Sequence, residues 1–156
     1  MAALPVPSEC GDLYTSISAS HSAHLVNVTF PPLLGLFDLA LLLLRLMVAA
    51  VFVTSGINHV KDPKGRAQSI GQSPAFTAVL GAGELLGGAG VATGVLIQIA
   101  AIGLILIMLG AIQKKIFVWK TGFWAENASG WHYDLTLALM NFVILCSAGG
   151  NLVIRL

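Results

Sequence analysis

Leu39-Ala40-Leu41-Leu42-Leu43-Leu44-Arg45-Leu46-Met47-Val48-Ala49-Ala50-Val51-Phe52-Val53-Thr54 decides the fold class. This run is apolar on every helical face, broken only by one arginine. A helix that is hydrophobic all round belongs in lipid rather than on the surface of a soluble domain. Extended to Leu33 and Ile57, it is long enough to cross about 30 Å of hydrocarbon, which takes about 20 residues. Three further stretches read the same way, so the chain is expected to be an all-α integral membrane four-helix bundle. The spans are placed at about 33–57, 75–93, 95–118 and 135–154. Together they take over half of the 156 residues and leave no room for a soluble catalytic domain.

Composition agrees. Hydrophobic residues make up 56% and charged residues 10% of the chain, where a soluble domain carries roughly 25% charged. The net charge of +1 offers no basic excess for nucleic acid. Residues 1–32 read as an extramembrane N-terminal arm, closed by Phe30-Pro31-Pro32, where the prolines stop a helix. Met1 to Cys10 has neither the basic nor the apolar region of a cleavable signal peptide, so the first span is expected to direct insertion. Cys10 and Cys146 show no metal spacing and are expected to stay unpaired thiols. His21 and His24 are too few for a metal site. Asn27-Val28-Thr29 and Asn127-Ala128-Ser129 match the glycosylation sequon, a short pattern that chance often supplies.

Lys61, Lys64 and Arg66 follow span one, and Lys114, Lys115 and Lys120 close span three. By helix count these lie on one side, with Arg155 alone on the other. The positive-inside rule then makes 58–74 and 119–134 cytoplasmic loops and puts both termini outside. In span two, Gly83, Gly87, Gly90 and Gly94 share one helical face. Such a stripe lets a neighbouring helix approach closely; the other reading is room for a flat lipid-soluble ligand.

Arg45 and Glu84 stand inside apolar spans, where a lone charge costs on the order of 3 kcal/mol or more and turns inward to find a partner. Arg45 is placed roughly 18 Å, and Glu84 roughly 13 Å, from the cytoplasmic ends of their spans. An Arg45–Glu84 ion pair is therefore expected, with Asn141 of span four completing the network. His59, fourteen residues beyond Arg45 and beside Asn58, points the same way. With Gln113 it is expected to line a polar cavity open to the cytoplasm. Each residue also has a purely structural reading: a register-fixing ion pair, an interfacial histidine, an interhelical hydrogen bond. Trp119, Phe123, Trp124, Trp131 and Tyr133 form either an interfacial aromatic belt or, from Trp124 to Asp134, a re-entrant cap over the cavity mouth.

In order along the chain, Leu44-Arg45-Leu46, Ser55-Gly56 to Asp62-Pro63, Gly83-Glu84-Leu85-Leu86-Gly87-Gly88, Gly122-Phe123-Trp124 and Gly130-Trp131-His132-Tyr133 resemble the DoxX-like family of small four-helix membrane proteins. The resemblance covers about residues 38–155. That family usually has an acidic residue where this chain has His132; here Asp134 lies two positions on. The resemblance implies a membrane subunit linked to a quinone oxidoreductase, such as thiosulfate:quinone oxidoreductase, or to an oxidative-stress complex, with quinone as ligand. More distant relatives imply an assembly factor or cargo receptor. No flavin, iron–sulfur or haem motif is visible, so electrons would come from a partner. The opposing reading is a non-enzymatic structural or assembly subunit in a larger membrane complex. A transporter is weakly supported, since no inverted repeat is visible.

Overall fold

The computed structural model describes residues 30–125 and 130–153. The arm up to residue 29, with Cys10, His21, His24 and the first sequon, lies outside the described residues, as does the second sequon. Pro31–Leu36 forms a 3-10 helix. From Leu36 onward the chain makes five α-helices and, among the described residues, no strand: α1 (Phe37–Lys61), α2 (Pro63–Ile70), α3 (Pro74–Thr93), α4 (Ile97–Phe117) and α5 (Trp131–Ser147).

The boundaries follow local chemistry. The Asp62 side chain accepts from Gly65 N at 2.9 Å and Pro63 opens α2, an N-cap followed by a residue whose missing N–H costs nothing there. Ser73 and Pro74 repeat that arrangement at α3, with Phe76 N donating to Ser73 Oγ at 3.2 Å. Gly94 ends α3 in the left-handed region at φ 84°, and three residues later α4 begins. The expected tight hairpin between spans two and three is present.

Two spans differ from expectation. The first helix does not stop at Ile57 but continues through Asn58, His59 and Val60 to Lys61. The last starts four residues early, at Trp131, and stops at Ser147 instead of 154. Ala148, Gly149 and Gly150 take φ of 48°, 78° and 78°, and a run of left-handed residues cannot continue a right-handed helix. As a result α1, α3 and α4 are long and apolar enough to cross a membrane. The 17 residues of α5 reach only about 25 Å. The link after α1, expected at 58–74 as a loop, contains α2.

Helix α1 packs along α3, α3 along α4 and α4 along α5, with a narrower seam between α1 and α5; α2 rests against α3. Glycine sets the closest approaches. A methyl on Gly56 would fall 2.7 Å from the Gly81 carbonyl oxygen, and one on Gly87 2.6 Å from Leu104 Cδ2. The expected glycine face of α3 is thus a packing seam: Gly83, Gly87 and Gly90 meet Ile107, Leu104 and Ala100 of α4. Val48, Phe52, Val91, Leu104, Leu137 and Ile144 fill the core.

Polarity is arranged inside out. Arg45, Glu84, Asp134 and Asn141 are buried, whereas Leu86 and Ile99 are 76% and 67% exposed. In water that arrangement would be costly twice over, in stranded charge and in bare hydrocarbon. In a bilayer, the exposed leucines meet lipid and the charges find partners inward.

Candidate functional site

The first question is whether Arg45 and Glu84 meet. They do not. In an α-helix each Cα–Cβ bond tilts toward the N-terminus. Since α1 and α3 run antiparallel, the two side chains lean in opposite directions. The four added residues of α1 also push its basic end about 6 Å further than expected. Gly56 of α1 sits opposite Gly81 and Leu85, and Ala49 and Val53 opposite Gly88. Arg45 is therefore level with the C-terminal end of α3.

There it has four carbonyl partners. Nε donates to Val91 O at 2.8 Å and Nη2 to Ala92 O at 2.8 Å, while Nη1 donates to Gly149 O at 3.2 Å and Leu152 O at 2.6 Å. The last turn of a helix has carbonyls without intrahelical partners and a partial negative charge. One guanidinium satisfies such groups on α3 and on the segment after α5. That segment is also tied to the start of α1, where Asp38 accepts from Asn151 N at 2.9 Å and from Asn151 Nδ2 at 3.0 Å.

Glu84 instead meets His59, whose Nδ1 lies 2.9 Å from Oε2. With its proton on Nδ1, the ring donates to the carboxylate. Ser55 Oγ, one turn back on α1, is 3.4 Å from the same nitrogen. His59 and Glu84 line an open-mouthed cavity of about 1100 Å³ to whose wall all four long helices and α2 contribute. Gln113 and Asn58 line it too, as expected; Arg45, Asn141 and Trp131 do not. Asn141 is fully buried, but its Nδ2 donates to Leu137 O of its own helix at 2.9 Å. Its Oδ1 has no partner among the described residues, so it does not complete a network with Arg45 and Glu84. The Trp131 ring packs edge-on against Phe123 at 4.5 Å.

A second acid–base pair went unforeseen. Lys115 Nζ of α4 stands 2.6 Å from Asp134 Oδ2 of α5, an ion pair between two largely covered side chains. Both residues line the cavity. The signal was present: Asp134 falls in the first turn of a helix, where an anion is favoured, and the paired lysines close the neighbouring one. Above the pair, His132 Nδ1 lies 2.7 Å from Phe123 O and the His132 ring 4.4 Å from that of Trp124. Among the described residues of the segment expected as a possible cap, only Tyr133 and Asp134 reach the cavity wall. Residues 126–129 lie outside the described residues. The glycine face of α3 also borders a separate apolar groove of about 510 Å³ on its α4 side. Among the described residues no group of three metal-ligating side chains comes together.

Apolar helices turned outward, with acid–base pairs folded inward, define a helical membrane protein. The DoxX family model matches residues 40–121, a stretch that carries Arg45, the His59–Glu84 pair and Lys115. The chain belongs to the DoxX family, a family of membrane proteins. No curated protein and no solved structure matches it.

Proposed function

We propose that the protein is a multi-pass subunit of the cell membrane that binds a quinone for a quinone-linked oxidoreductase or respiratory complex. The observation that carries this reading is the pairing of half-buried His59 with buried Glu84, held at 2.9 Å in the wall of a mostly apolar cavity. A quinone needs apolar walls for its ring and chain and a donor for its carbonyl oxygen, and its reduction needs a nearby group that passes protons. Carrying a second proton, His59 fits the donor role through Nε2 while Nδ1 stays on Glu84, and Glu84 fits the proton-passing one; Gln113 and Asn58 offer further hydrogen bonds. Electrons would come from a partner chain. In this reading α5 crosses the bilayer together with α1, α3 and α4, helped by the residues that follow it. The basic end, with 58–74 and 119–134, faces the cytoplasm, and both termini face outward. Arg45 and Asn141 then hold the site's framework, and Trp131 its rim.

A short-chain quinone titrated into the purified protein in lipid nanodiscs tests this, because Trp119 lines the cavity and quinones quench indole fluorescence. Saturable quenching, weakened about tenfold or more by Glu84→Gln or His59→Gln, is expected for loss of a hydrogen bond to a charged group. Quenching that rises linearly and equally in all three proteins would sink the proposal. A second reading, a non-enzymatic subunit that packs into a larger membrane complex, is supported by the apolar groove beside the glycine face of α3, which is shaped to take another helix.

A further inference from the structure

The larger cavity changes character along its length. Its carboxylates are paired, Glu84 with His59 and, next to Lys114 in the last turn of α4, Asp134 with Lys115. Toward the basic end the wall gains Arg66 from α2 and Lys114 from the last turns of α4, together with Trp119. Neither Arg66 nor Lys114 has a carboxylate within ion-pair distance among the described residues. Lys114 Nζ donates to Gly71 O at 3.2 Å, which anchors it beside the end of α2, and it lies 6.0 Å from the Trp119 ring. Three permanent cations (Arg66, Lys114 and Lys115) thus face two carboxylates (Glu84 and Asp134), so the lining is one positive charge in excess with His59 neutral.

The surroundings set the depth at which that charge sits. Helix α2 buries only Ala67 and carries Lys64 and Arg66 on its open surface. It links the basic ends of two helices long enough to span, where lipid phosphates lie. Directly beside the cations the wall turns apolar, with Phe76, Phe117 and Val118, the last two 73% and 64% exposed. A cationic rim on a hydrocarbon wall matches a head and chain joined in one molecule. It does not match a free ion, which has no use for the wall.

We infer that Arg66 and Lys114 hold the phosphate of an anionic phospholipid at the mouth of the cavity, with an acyl chain laid along Phe76, Phe117 and Val118. A guanidinium and an ammonium from separate elements make charge-assisted bonds to a phosphodiester, and each adds roughly 1 kcal/mol of attraction near a membrane surface. The site is independent of the quinone reading: it lies at the rim and uses neither His59 nor Glu84.

The test is lipid retention by the full chain in a neutral detergent. The protein is exchanged into mixed micelles of phosphatidylglycerol or phosphatidylcholine, gel-filtered, and assayed for bound phosphorus. Wild type is expected to keep about one phosphatidylglycerol per chain and no phosphatidylcholine. R66Q/K114Q is expected to lose retention about thirtyfold, the weight of two cations, while K64Q/K120Q, with the same charge change outside the cavity, keeps it. Equal retention of both lipids by wild type overturns the inference without any variant. Equal loss in the two double variants overturns it in favour of diffuse surface attraction. Displacement by millimolar inorganic phosphate assigns the rim to a free anion and overturns it also. The quinone titration reads a different pair of residues, so failure of one leaves the other standing.

Discussion

Arg45 carries a charge that no carboxylate among the described residues neutralises, and it is 1% exposed. Its stability rests on carbonyls, which no substitution of Glu84 can replace. Arg45→Met is therefore expected to lower the unfolding midpoint in detergent sharply, since each buried acceptor left bare costs about 1–3 kcal/mol. Adding Glu84→Gln should not restore it. Two residues without a shared partner add to within about 0.5 kcal/mol in a double-mutant cycle. His59→Gln with Glu84→Gln should instead show a coupling of about 0.5–3 kcal/mol, as contacting residues do. The reverse pattern, with Arg45 coupled to Glu84, would contradict the geometry. The charges themselves were plain in the sequence, as was their inward turn. Their partners were not, because matching depths by residue count ignores the direction in which a helical side chain leaves its backbone.

Between elements, glycine fixes the spacing, and its positions are not equivalent. A methyl on Gly56 would strike the α3 backbone at 2.7 Å, where nothing flexible can yield, whereas Gly103 has nothing within 4 Å. Gly56→Ala is expected to separate α1 from α3 and cut accumulation in membranes. Gly103→Ala should hold or raise the unfolding midpoint, because alanine gains about 0.5–1 kcal/mol over glycine inside a helix. If both changes prove equally harmful or equally silent in a thermal-shift measurement, close approach is not what Gly56 provides. At this scale the sequence was readable where periodicity is strong. The core of each long helix and the α3–α4 seam were visible in it. Element ends were less so: apolar counting stopped α1 at Ile57 because Asn58 and His59 look like loop, yet both remain helical until Asp62 and Pro63 close the element. Helix α2 was hidden by its polar composition, and its caps were the only signal.

For the whole molecule, the decisive asymmetry is between two ends. The basic end gathers α2, the last turns of α4 and the opening of the cavity. At the other end Arg45, Gly149 and Leu152 are tied together. The proposed orientation rests on charge alone, and labelling tests it. In a Cys10→Ser, Cys146→Ser background, Lys64→Cys should be protected from a membrane-impermeant maleimide in intact cells and react after lysis. Gln98→Cys, at the start of α4, should react from outside. The opposite labelling would invert the molecule. The overall class was legible from sequence because hydrocarbon thickness sets helix length. The cavity was legible only in part: His59, Glu84 and Gln113 stand out by their oddness in apolar surroundings, while Lys115 reads only as an orientation charge and Asp134 as the end of a possible cap.

The ties of Arg45 also have a temporal side. Val91 O lies 46 residues downstream of the arginine, Gly149 O 104 and Leu152 O 107. A ribosome delivers α1 to the bilayer before any of these acceptors is in place beside it, so the first helix enters with its cation unanswered. Synthesis of α3 answers half of it, and only the turn after α5 answers the rest. Arrival of the turn after α5 is thus a chemical event for the first helix. A nascent protein cut short before that turn would leave an unmet charge within the membrane, a mark by which quality control can tell unfinished copies from finished ones.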